Sequence, residues 1–151
     1  MGIGLLQQSF TGLAGQLSLP QGDGALTVAA QLLIGVVMTV LMQSSSASIA
    51  IALTAAQGGL IEAQGAAAVV IGANIGTTFT ALLAAIGATP NARRAAAAHV
   101  IFNLITACVA LALLPWLIAA LTRAQAALGM ADDPAMLLAL FHTTFNLLGV
   151  V

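Results

Sequence analysis

The chain has 151 residues, of which 61% are hydrophobic and 5% charged, with a net charge of −1 and a mean hydropathy of +1.11. A soluble domain carries charge on about a quarter of its residues, so lipid rather than water is the expected solvent. With three arginines and no lysine there is no basic stripe, which excludes nucleic acid as a partner.

The seven charged residues, Asp23, Glu62, Arg93, Arg94, Arg123, Asp132 and Asp133, all fall between apolar runs. Lipid enforces that placement, because a charge at the bilayer centre is costly. Residues 2–17 read as a weakly apolar helix interrupted by glycine, followed by a Pro/Gly/Asp turn at 19–24. Residues 26–56 are apolar for 31 positions, too long for one span of about 20 residues. They are broken at mid-length by Gln43-Ser44-Ser45-Ser46-Ala47-Ser48. The pattern predicts two antiparallel half-helices joined by a non-helical tip at Gln43, Ser44, Ser45 and Ser46.

A loop is expected over 57–65, marked by Gly58-Gly59 and Glu62. Residues 66–88 are long enough to span once, but their middle reads Gly72-Ala73-Asn74-Ile75-Gly76-Thr77-Thr78. Glycine loosens a helix, and hydroxyls compete for its backbone bonds. This segment is therefore expected to unwind locally and to approach the serine tip. A short basic connection at 89–94 leads to the cleanest spanning helix, 95–121, which carries His99, Asn103, Cys108 and Pro115. Cys108, the single cysteine, cannot form an internal disulfide and reads as a small packing residue. Residues 122–134 are a polar connection. A helix begins near Ala135 and runs apolar to the last residue, which suggests a chain cut before that helix finishes. Ala98–Leu104 and Phe141–Leu147 share an H-x-x-F-N-L pattern 43 residues apart, and His99 with Asn103 is expected to hydrogen-bond to a neighbouring helix.

Polar, irregular backbone at bilayer depth is tolerated only where it lines a cavity or is buried in protein. A helix restarting after each polar break exposes free N–H groups and the positive end of its dipole beside hydroxyls, which suits an anion. The carbonyls left at the preceding helix end suit a bare sodium ion. No Asp or Glu lies inside an apolar run, so a proton relay has no carboxylate to use. Two competing readings stand beside this one. Small residues and Gly72-x-x-x-Gly76 also serve close helix packing, and a serine with His99 as base would make a hydrolase, which lacks any nucleophile-elbow context.

Gln43-Ser44-Ser45-Ser46-Ala47 resembles the Q-S-S-S-A motif of the type II sodium/phosphate cotransporters and their bacterial relatives. Gly72-Ala73-Asn74-Ile75-Gly76-Thr77-Thr78 is similar to the G-A-N-I-G-T-T segment that follows it in that family. Arg93-Arg94-Ala95-Ala96, His99 and Phe102-Asn103 continue the likeness in the same order. The resemblance implies an all-α membrane protein: one transporter repeat with a re-entrant helical hairpin, a broken transmembrane helix and flanking spanning helices. On this division residues 1–24 are an N-terminal helix and turn, 25–121 the repeat, and 122–151 a connection and the start of a truncated helix.

The family pattern has two inverted repeats whose tips meet at mid-membrane, each with one Q-S-S-S motif. This chain has one motif and looks more like the second repeat, so its expected partners include a second repeat or a second copy, along with membrane lipid. The implied function is sodium-coupled symport of inorganic phosphate in a bacterial inner membrane, with sodium as coupling ion and no cofactor or enzymatic activity. Residue by residue, Ser44, Ser45 and Ser46 would bind phosphate, and Gln43, Asn74, Thr77 and Thr78 would offer oxygens to sodium. The alternatives are a transporter of another small anion and a structural membrane subunit.

Overall fold

The computed structural model describes residues 24–130 and 133–149; the helix expected over 2–17 and most of the turn after it lie outside the described residues. All regular structure among the described residues is helical: α1 (Ala25–Met42), α2 (Ser45–Gln57), α3 (Ala63–Ala84), α4 (Pro90–Ala127) and α5 (Pro134–Leu148). Local signals set the boundaries. Thr89 and Asp133 are N-caps whose side chains accept from Ala92 N at 3.4 Å and Ala135 N at 2.9 Å, each followed by proline at the first helical position. Between α2 and α3 the chain turns through Gly59 at φ +69°, a left-handed conformation that disfavours any side chain.

α3 is the central element. The other four helices pack on it, and Ala66, Ala67, Ala68, Val70, Ile71 and Ala73 on it are fully buried. Its small residues let α1 approach backbone to backbone. A Cβ built on Gly35 would fall on the Val69 carbonyl oxygen, and one built on Gly72 on the Leu32 carbonyl oxygen. Further contacts climb in step, with Gly65 against Gln31 and Gly76 against Val36 and Thr39. Rising numbers on both helices mean that α1 and α3 run in the same direction. α2 therefore travels back antiparallel to both, starting beside the last turn of α1 and ending at the turn into α3. α4 returns antiparallel to α3: Leu111, Leu114 and Pro115 share a cavity wall with Val28, Leu32 and Gln64, near the starts of α1 and α3. α5 turns back again, stacking Phe141 on Phe145 in the core with ring centroids 6.3 Å apart.

α1, α3 and α4 are each long and apolar enough to cross a membrane. The outer surface fits that solvent: Trp116 is 69% exposed, Ile105 61% and Ile101 58%. From Arg94 to Arg123 α4 rises about 44 Å, at 1.5 Å per residue. That length matches a bilayer with its headgroup layers.

Four expectations need correction. Residues 72–78 do not unwind; α3 runs unbroken through them, so the broken transmembrane helix is absent here. The reason is local: Thr77, Thr78 and Thr80 hydroxyls donate to the carbonyls of Asn74, Ile75 and Thr77 at 2.6, 2.7 and 2.7 Å. The hydroxyls thus bond within the helix instead of competing with it, and the glycines serve close approach. The basic connection at 89–94 is mostly the first turns of α4, and α4 continues past residue 121 to Ala127, because Thr89-Pro90 starts the helix early, the helix runs on through Pro115, and no glycine or proline follows residue 121 before Gly129. Cys108 is exposed rather than packed inside, since the buried stripe of α4 passes through Ala107 and Ala110. Asn103 does not reach a neighbouring helix: its Nδ2 donates to the His99 carbonyl of its own helix at 3.0 Å. Asn146 repeats this on His142 at 2.7 Å, so the shared H-x-x-F-N-L pattern produces the same local bond twice.

Candidate ion and anion site at a helix break

The 31-residue apolar run breaks where its polar centre lies. α1 ends at Met42, and Gln43 follows with φ 54° and ψ 28°. Among the described residues it is the only non-glycine with positive φ. A non-glycine in the left-handed region is uncommon and points to a surrounding that requires it. Its Nε2 turns back to donate to the Val40 carbonyl at 2.6 Å, capping one of the carbonyls that the helix end leaves without an intrahelical partner. Ser44 is extended (φ −153°) and caps α2, its Oγ accepting from Ala47 N at 3.3 Å.

Only Gln43 and Ser44 are non-helical. Ser45 and Ser46, expected in the tip, form the first turn of α2, because the Ser44 cap lets the helix start at once. That placement helps the anion reading: first-turn N–H groups have no intrahelical acceptor and sit at the positive end of the dipole. Ser44 and Ser45 are half-buried, while Gln43 and Ser46 are exposed. A carbonyl-rich helix end and an amide-rich helix end therefore stand two residues apart.

The second motif lies on α3 beside the end of α1. Thr78 is buried, and Asn74 and Thr77 are half-buried. Since the threonine hydroxyls spend their protons on their own helix, their lone pairs stay available as acceptors, the form a cation needs. Among the described residues no hydrogen bond joins Ser44, Ser45 or Ser46 directly to Asn74, Thr77 or Thr78. The two motifs are joined through Thr39, which packs on Gly76 and donates to Ser48 Oγ at 3.0 Å. Thr39 and Ser48 were given no role on sequence grounds. Their only signal is that they are hydroxyls four residues either side of the break, in an otherwise apolar helix face. His99, the base a serine hydrolase would need, is exposed on α4 and makes no bond to a serine among the described residues.

The chain is 41% identical over 115 residues to YqeW of Bacillus subtilis, covering 76% of this chain and 36% of that protein. It is 38% identical over 90 residues to sodium-dependent phosphate transport protein 2A of Ovis aries, covering 56% of this chain and 14% of that protein, with the same figures for the Rattus norvegicus protein. The chain thus spans only about a third or less of the length of these relatives. No solved structure matches it. The family model described as Na+/Pi-cotransporter matches residues 1–144, and the chain belongs to that family of integral membrane transport proteins.

Proposed function

We propose that the chain supplies one half of the substrate and sodium site of a sodium-coupled inorganic phosphate symporter. The observation that carries this reading is the break at Gln43 and Ser44, which sets a helix C-terminus and a helix N-terminus side by side within an apolar unit. α2, at 13 residues, rises about 20 Å and is too short to cross about 30 Å of hydrocarbon. α1 and α2 are accordingly read as a re-entrant hairpin whose tip lies within the membrane. There the first-turn N–H groups and hydroxyls of Ser44, Ser45 and Ser46 hold phosphate. Sodium takes oxygens from Gln43, Asn74, Thr77 and Thr78 and from the last carbonyls of α1.

Charge supplies the coupling. An unpaired phosphate dianion is heavily penalised on leaving water, and a neighbouring cation offsets much of that penalty. No Asp or Glu lies within the described helices, so sodium is the cation this site is suited to hold. The other half of the site comes from a second repeat or a second copy of the chain. Phosphate is favoured over other small anions by the likeness to sodium-dependent phosphate transport protein 2A, since helix amides and hydroxyls alone accept several oxyanions.

Uptake of radiolabelled phosphate into proteoliposomes tests the reading. Uptake should require external sodium and should persist when a protonophore collapses the proton gradient. Undiminished uptake with choline in place of sodium would remove the sodium assignment, and preference for sulfate would replace phosphate as the substrate.

A further inference from the structure

We propose that Thr39 and Ser48 are positioning residues that hold the Ser44 cap in place and tie its geometry to the packing of α3. The two hydroxyls are 1% and 0% exposed, deeper than any of the three motif serines. Thr39 Oγ1 donates to Ser48 Oγ at 3.0 Å, and Ser48 Oγ donates onward to the Ser44 carbonyl at 3.2 Å. That carbonyl also receives the Ser48 backbone N–H at 3.3 Å. A relay of three residues therefore runs from the last turn of α1, across the break, to the residue that caps α2.

The relay has a second anchor. A Cβ built on Gly76 would lie 2.6 Å from Thr39 Cβ, so Thr39 keeps its position only because residue 76 has no side chain. A shift of α3 against α1 therefore acts on Thr39 first, then on Ser48, then on Ser44. The half of the second motif that packs, Gly76, thus controls the first motif without touching it. This rests on the reading of the tip as the anion site, in which the direction of the Ser44 cap sets where the free N–H groups of α2 point.

The bland account is that two buried hydroxyls merely satisfy each other, which predicts a change in stability and none in the tip. The two are separated by thiol labelling of the purified full chain in detergent, with Cys108→Ser removing the natural thiol and Ser45→Cys reporting on the half-buried first turn of α2. Thr39→Val keeps the packing on Gly76 but removes the donor, and should raise the labelling rate by a charged methanethiosulfonate roughly tenfold, the scale of one lost buried hydrogen bond. Thr39→Ser should restore the slow rate, and Ser48→Ala should repeat the fast one. An unchanged rate in Thr39→Val, with or without a lower unfolding midpoint, overturns the proposal. If Thr39→Val fails to fold, an unchanged rate in Ser48→Ala does the same. The readout needs neither phosphate nor transport, so labelling that responds to Thr39→Val and Ser48→Ala as expected, beside a wild-type chain that takes up no phosphate, would count against the proposed function alone.

Discussion

Thr77→Val is expected to raise the sodium concentration for half-maximal phosphate uptake roughly ten- to hundredfold, the range for losing a bond to a charged group. Valine keeps the branched shape that α3 packs, and the hydroxyl it replaces donates only within its own helix. The fold should therefore survive while one candidate cation ligand is lost. Ser45→Ala should act on the other substrate. It removes a hydroxyl from the first turn of α2 but leaves the backbone N–H, so the phosphate KM should rise about tenfold at saturating sodium. Initial rates in proteoliposomes, with each substrate varied at a saturating level of the other, give both constants. Equal shifts of both constants in both variants would mean that the two motifs do not divide the ions as proposed.

The second large effect falls on assembly. Gly72→Ala places a methyl group on the Leu32 carbonyl oxygen, and backbone on both sides leaves no flexible side chain to yield. α1 and α3 must then separate, and the loss is expected at about 3 kcal/mol or more, beyond the usual range for one methyl group. Gly59→Ala is the contrast: its Cβ would meet open space, and only the positive φ of +69° is disfavoured, so about 1 kcal/mol is expected. Titration with sodium dodecyl sulfate, followed by the fluorescence of the single tryptophan Trp116, compares the two. Similar midpoints would show that the close approach of α1 and α3 adds little.

Much of this architecture is legible in the residues because lipid makes sequence blunt. A run of 31 apolar positions with four hydroxyls near its centre has few solutions once unsatisfied backbone is excluded from hydrocarbon, and the helix does end at Met42 and restart at Ser45. Thr89-Pro90 and Asp133-Pro134 carry cap and first-turn signals that set helix starts locally. The second motif misleads because composition cannot say where a hydroxyl sends its proton. Glycine and threonine in series look like a break, yet three threonines bond to carbonyls three residues back, and the glycines face α1. Thr39 was invisible for a related reason: a lone hydroxyl in an apolar run acquires meaning only when a partner from another helix, here Ser48 of the polar break, arrives beside it. Family resemblance, by contrast, supplied the identity of the anion, which neither helix ends nor hydroxyls specify alone.

The central claim is that the two-residue break between α1 and α2 is where the anion binds. An experimental structure of the chain in lipid, determined in sodium phosphate, tests this most directly. The account predicts α1 ending at Met42, Gln43 in the left-handed conformation, and tetrahedral density within hydrogen-bonding distance of the Ser45 and Ser46 N–H groups. One continuous helix through residues 43–46, or phosphate bound elsewhere with the tip packed against lipid, would contradict it.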